Sequence, residues 1–184
     1  VSLDGDRLAV GAFRDDTLAE DAGAVYLFEL VDGEWQFEAK LYASDWEPSA
    51  AFGASVMLKG DRLFVGASLE DGGSNAGAAY VFERRDESWT EVTRIPSPAC
   101  CFFGNDVDFE GDRAVVGAPW EHHSGSVRTG AAYIYERSGE SWIEVARIQA
   151  SDSGRGDGFG HIVDLDGDRL AVGAPSNPWG HDPL

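Results

Sequence analysis

Carboxylates at alternate positions are the first feature of this 184-residue chain with the makings of a site. Asp106, Asp108 and Glu110 form one series and Asp164, Asp166 and Asp168 another, each beside a Gly-Asp pair. Oxygen donors hold a hard divalent cation when a loop of about a dozen residues wraps them around it. In a strand, alternate residues instead share one face. A second group is Trp120-Glu121-His122-His123, where two imidazoles and a carboxylate beside an indole suit a transition metal or a stacked ligand. No nucleophile elbow, phosphate-binding glycine loop or His-Glu metal helix is present. Paired carboxylates carry no information about glycoside hydrolysis in so acidic a chain. The expectation is a protein that is not an enzyme.

The elements that position these residues follow from composition and repeats. Fourteen Lys+Arg against 33 Asp+Glu give a formal charge of −19. Such a surface repels phosphate backbones and anionic lipid headgroups, which excludes general nucleic-acid and membrane-surface binding. Apolar runs such as Leu8-Ala9-Val10 fall far short of the ~18 residues of a membrane helix, so no membrane insertion is expected in this segment. With 23 glycines and seven prolines, every candidate helical window is interrupted, and the fold class is all-β. Cys100 and Cys101 are adjacent, supply no disulfide framework, and read as two small buried hydrophobes.

Four markers recur in fixed order. Gly-Asp-Arg begins at Gly5, Gly60, Gly111 and Gly167, and a Gly-Ala pair follows at Gly11, Gly66, Gly117 and Gly173. Gly23, Gly77 and Gly130 precede small-aromatic runs, with Trp35, Trp89 and Trp142 beyond them. Phe-Gly pairs stand at Phe52, Phe103 and Phe159. Each unit predicts four short strands. In the second these cover 54–58, 62–67, 77–83 and 89–95, with tight turns at the Gly-Asp pairs and a loop from 68 to 76. The glycine of each Gly-Ala pair marks close approach of another backbone. Four-stranded units of ~50 residues are β-propeller blades. The spacing divides the chain into blades at 1–50, 51–101 and 102–157 and a half blade at 158–184, fourteen strands in all. The remaining blades are expected from the same longer chain.

Phe52-Gly53-Ala54-Ser55-Val56, Gly60-Asp61-Arg62-Leu63, Gly66-Ala67-Ser68 and Gly77-Ala78-Ala79-Tyr80-Val81-Phe82 resemble FG-GAP repeats, the blades of integrin α heads and of related bacterial surface propellers. The proline of the motif is kept at Pro119 and Pro175, whereas Phe13 and Ser68 replace it elsewhere. The resemblance implies calcium between strands one and two, which makes Asp106, Asp108, Glu110, Asp164, Asp166 and Asp168 the candidate ligands. The family's metal loop is an insertion that this sequence lacks. The short turns offer two or three carboxylates on one side, so calcium is expected to contribute little and no cofactor is assigned. By the same analogy the loop between strands two and three lies on the partner-binding face, which makes Trp120, His122 and His123 binding candidates. Arg155-Gly156-Asp157 matches the tripeptide that integrins recognise, and coincidence is the expected explanation.

The function these readings imply is a non-catalytic platform on the outside of a cell, of bacterial type. It would engage a protein or glycan ligand, in adhesion or carbohydrate binding, through its loops. The alternatives are an accessory propeller of a larger secreted hydrolase and a structural spacer. A propeller hosts unrelated functions, so the fold alone does not choose among them.

Overall fold

The computed structural model describes residues 1–69, 76–98, 101–123, 127–152 and 154–175. No helix occurs among them. Three four-stranded antiparallel sheets follow one another along the chain, each in simple meander order. The first comprises β1 (Ser2–Asp4), β2 (Arg7–Ala12), β3 (Ala24–Val31) and β4 (Glu34–Leu41). The second comprises β5 (Phe52–Lys59), β6 (Arg62–Ala67), β7 (Ala78–Arg85) and β8 (Ser88–Pro96). The third comprises β9 (Val107–Glu110), β10 (Arg113–Ala118), β13 (Ala131–Ser138) and β14 (Ser141–Ile148), with the small hairpin β11 (His122–His123) and β12 (Val127–Arg128) inserted between β10 and β13. A two-stranded sheet, β15 (Ile162–Asp166) and β16 (Arg169–Gly173), comes last. This is an arc of propeller blades. Among the described residues it has two more strands than the repeats predict, because β11 and β12 lie where a plain loop is expected.

Each Gly-Asp turn joins the first two strands of its blade with glycine at positive φ, between +56° and +59°, a conformation that other residues resist. The pairing of the third and fourth strands shifts register at the same repeat position in every complete blade, at Leu27/Phe28, Val81/Phe82 and Ile134/Tyr135. Bulges of this kind increase local twist, and their recurrence gives the three blades the same shape.

The core lies between blades rather than within any one of them. One apolar cluster joins Val25 and Leu27 of the first blade to Leu58, Leu63, Val65 and Tyr80 of the second. Another joins Phe64 and Val81 of the second to Phe109, Val116, Tyr133 and Trp142 of the third. A smaller one joins Val115 and Ala132 to Val163 and Leu165. The tryptophans follow this logic. Trp142 sits edge-on to Phe64 of the preceding blade, 4.9 Å between centroids, and is 8% exposed. Trp89 Nε1 donates to Glu38 of the preceding blade at 3.1 Å. Trp35, on the outer face of the first blade, is 44% exposed.

Cys101 is half-buried and disulfide-bonded, with φ of 89°. The reading of two small buried hydrophobes is therefore corrected for Cys101. Cys101 stands where the chain turns through two residues at positive φ, Cys101 and Phe102, rather than in a strand. Cys100 lies outside the described residues.

Candidate functional site

The family signature has a plain physical basis at the seams between blades. The Phe-Gly pair opening one blade bridges in parallel to the glycine opening the third strand of the blade before it: Gly23 to Phe52, Gly77 to Phe103, Gly130 to Phe159. The Gly-Ala glycine of the earlier blade packs backbone to backbone against the glycine of Phe-Gly. A Cβ on Gly11, Gly66 or Gly117 would lie under 3.0 Å from the carbonyl oxygen of Gly53, Gly104 or Gly160 respectively. Phe103 is fully buried and meets Tyr133 and Tyr135 edge-on at 5.5 and 6.2 Å.

Of the alternating acids, Asp106 stands just before β9 and Asp108 and Glu110 on it, and their carboxylates accept backbone N–H groups of β15 and of the turn that follows it. Val163 N donates to Asp106 Oδ2 at 2.8 Å, Leu165 N to Asp108 Oδ2 at 2.6 Å, and Gly167 N to Glu110. The first seam repeats the pattern, with Leu58 N donating to Ser2 Oγ at 2.9 Å and Gly60 N to Asp4 Oδ2 at 2.6 Å. An innermost strand has an open edge whose N–H groups must find acceptors. Burial pushes the Asp106 and Asp108 carboxyls above the usual range, against the lowering effect of the N–H donors.

The Gly-Asp-Arg triplets also tie blade to blade, since the arginine of one reaches the turn of the next. Arg7 bonds Asp61 at 2.7 Å, Arg62 the Gly111 carbonyl at 2.6 Å, and Arg113 Asp168 at 3.0 Å. Asp168 is thus held by Arg113, while Asp164 and Asp166 are exposed on β15. No group of three His, Cys, Asp or Glu among the described residues is placed to hold a metal ion. Calcium and magnesium at matched ionic strength should therefore raise the melting temperature equally and slightly, by screening the −19 charge. Thermal unfolding in chelator and in each ion checks this; a rise specific to calcium and abolished by Asp166→Ala would place a metal on β15 instead.

At the opposite end, where the long loops gather, each blade carries a tyrosine, a cation and a carboxylate. Tyr26 Oη and Lys40 Nζ both donate to Asp15 Oδ2, each at 2.8 Å. Tyr80 and Arg94 meet Asp45 at 2.7 and 2.9 Å. Tyr133 donates to Glu121 Oε2 at 2.5 Å, and Arg147 pairs with Glu121 Oε1. Burial works to raise the Asp15 carboxyl, but bonds from Lys40, Thr17 and Tyr26 outweigh it and hold the group below the usual carboxylate range. Burial and the Glu121 carboxylate push the Tyr133 hydroxyl up. The first and third clusters pin the loop between the second and third strands to its own blade, while Asp45 ties the segment after β4 to the second blade. A spacing in the sequence announces them: the acid stands four residues after the Gly-Ala glycine, the tyrosine three after the next marker glycine, and the cation fourteen beyond that. Glu70, the counterpart in the second blade, lies outside the described residues.

Of the sequence candidates at this end, Trp120 and His122 are brought together and Glu121 is turned inward. Trp120 is 40% exposed, with the Phe102 ring 4.7 Å away and the Arg128 guanidinium 5.2 Å from its ring centroid. Arg128 Nε lies 3.4 Å from His122 Nε2 across the β11–β12 hairpin. His123 pairs through its backbone with Val127. The Arg155-Gly156-Asp157 segment is tied down, because Gly156 N donates to the Arg128 carbonyl at 2.6 Å and Asp157 accepts Gly154 N–H.

A search of curated proteins found no match. The FG-GAP repeat model matches residues 1–28, 35–82, 101–135 and 142–182, and its matches cover each of the four repeat units. FG-GAP repeats are common in extracellular and surface proteins, often as interaction modules. No helix among the described residues is long and apolar enough to cross a membrane. With its seams built from the Phe-Gly and Gly-Ala glycines and its sequence matched in every unit, the chain belongs to the FG-GAP repeat family.

Proposed function

We propose that the chain is a non-catalytic extracellular interaction platform whose loop end binds a glycan or protein ligand, with Trp120 at the centre of the contact. The supporting observation is the indole itself. It is exposed, and it is steadied from two sides by Phe102 and Arg128. An aromatic ring held in this way presents apolar area at little cost in side-chain entropy. The adjoining imidazole of His122 and guanidinium of Arg128 supply hydrogen-bond donors beside that area. Loops positioned by a rigid scaffold are where binding residues concentrate.

A glycan array and a panel of surface-protein ligands, probed with the wild-type chain and with Trp120→Ala, test this reading. Binding by the wild type should fall at least tenfold in Trp120→Ala, a loss of about 1.4 kcal/mol, with the melting temperature unchanged. Blank arrays, or binding indifferent to Trp120, would leave a structural spacer as the better description.

A further inference from the structure

The seam between the second and third blades breaks a rule that the seams on either side of it keep. One residue before the Gly-Asp glycine stand Asp4, Glu110 and Asp166 in three units, but Lys59 in the second. At the first and third seams this acid accepts the N–H of the next turn's glycine, Asp4 from Gly60 and Glu110 from Gly167. At the second seam the repeat position holds an ammonium group instead, so the Gly111 N–H is left without its carboxylate.

A cavity of about 380 Å³ lies here, at the low end of the range for small-molecule sites. Lys59, Arg62, Arg84 and Arg137 line it against two carboxylates, Asp61 and Glu83, and Gly111 and Phe109 complete the wall. The cavity at the same position of the next seam has the opposite balance, two arginines against four carboxylates. An excess of cations is thus a local reversal in a chain of charge −19.

The donors of this cavity are not used up. Glu83 alone serves three guanidiniums, those of Arg137 at 2.6 Å, Arg85 at 2.8 Å and Arg62 at 3.5 Å. Burial works to raise the Glu83 carboxyl, yet the arginines hold it below the usual range. Arg62 Nε is buried and makes no hydrogen bond, its approach to Glu83 being an ion pair only. Arg84 bonds Glu38 through Nε at 2.8 Å, which is one of a guanidinium's five donors. Lys59 Nζ stands 3.9 Å from Asp108 Oδ1, too far for a hydrogen bond.

We infer that this seam binds the phosphate or sulfate ester of a sugar-sized molecule. The anion takes the role that a carboxylate plays at the neighbouring seams. It accepts the Gly111 N–H, while Lys59, Arg62 and Arg84 share its charge. An ester group with three terminal oxygens can meet backbone, ammonium and guanidinium donors together, whereas a carboxylate has only two.

Calorimetric titration of the chain with glucose 6-phosphate and glucose 6-sulfate is the test, with glucose and glucuronate as comparisons at one ionic strength. At least one ester should bind saturably, with glucose blank and glucuronate weaker by about tenfold. The tighter ester identifies the source of the oxyanion. Lys59→Gln should weaken binding by about tenfold, and Lys59→Glu should abolish it by restoring an internal acceptor for the Gly111 N–H. Arg14→Gln, which removes an exposed cation elsewhere, should bind like the wild type. So should Trp120→Ala, which separates this site from the loop-end reading. If Lys59→Glu fails to fold beside Asp108, the neutral Lys59→Gln decides alone. The proposal is overturned if neither ester binds, if glucose or glucuronate binds as well, or if Lys59→Gln binds like the wild type. An equal loss in Arg14→Gln would also overturn it, by reducing the effect to net charge.

Discussion

Gly66→Ala should cost at least ~3 kcal/mol and split unfolding into two transitions, the upper end of what overpacking does. The added Cβ would overlap the Gly104 carbonyl oxygen, a backbone atom that cannot rotate away. Gly104 is itself fixed, with φ of +85° and no room for a Cβ between the Ala78 carbonyl and Ala67 N, so it cannot retreat easily either. The third blade would have to lift off the second, opening the seam where Phe64 packs on Phe109 and Trp142. Gly60→Ala is the control. Its φ of +59° disfavours a side chain, yet nothing lies within 4 Å of the new Cβ, so it should lose only about 1–2 kcal/mol. Chemical denaturation of the two variants measures both. Equal losses would mean that the seam has room to spare and that backbone contact does not explain the glycine.

Removing the Glu121 carboxylate should be nearly as damaging, at about 3 kcal/mol for Glu121→Ala. Glu121 and Tyr133 are both buried, and the change leaves the phenol and the Arg147 guanidinium without their acceptor. Breaking a buried pair from one side costs about 3–5 kcal/mol, and the partial exposure of Arg147 places this case at the low end. Tyr133→Phe removes a single hydrogen bond and should cost about 1 kcal/mol. Because both changes act on one network, the double variant should lose less than the sum. A denaturation double-mutant cycle reads that coupling directly, and strict additivity would show that the three side chains do not act as a unit. The base of the β11–β12 hairpin should stay closed in Glu121→Ala, since Thr129 and Gly130 donate to the Glu121 backbone carbonyl, which the variant keeps.

Much of the blade was legible before any coordinates. The second strand of the second blade falls where the repeats place it, at Arg62–Ala67, and the other three extend a residue or two beyond the expected spans. Glycine spacing was informative because the constraint is local at the turns and periodic at the seams. The acids were harder to read. Alternation puts Asp106, Asp108 and Glu110 on one face, but the groups they serve are 57 residues away, on β15 and in the turn after it. No local pattern names an acceptor's partner at that distance. The tyrosine–cation–carboxylate clusters were missed for a similar reason, since their members lie on three elements and their recurrent spacing from the marker glycines does not say that they meet. The β11–β12 hairpin was hidden because His122, His123, Val127 and Arg128 form only two residue pairs, too few for alternation to show. Trp120 gained its setting from Phe102 and Arg128, neither adjacent to it in the chain.

The seams carry one further consequence. Where Gly11 meets Gly53, Gly66 meets Gly104 and Gly117 meets Gly160, the touching atoms are peptide groups, which every sequence possesses. The Gly-Asp-Arg ties likewise use parts that each unit carries in the same place, whereas the acceptors for innermost N–H groups are replaced by Met57 and Lys59 in the second unit. A gene segment encoding one blade can therefore be copied, lost or exchanged, and the product will still fit its new neighbours without compensating changes. Lineages of such chains should vary in unit number more readily than in the seam glycines. Their loops meet the next unit mainly through backbone groups, as where Ser49 N donates to Glu20 and Gly156 N to Arg128, so loop side chains are left free to diverge toward different ligands.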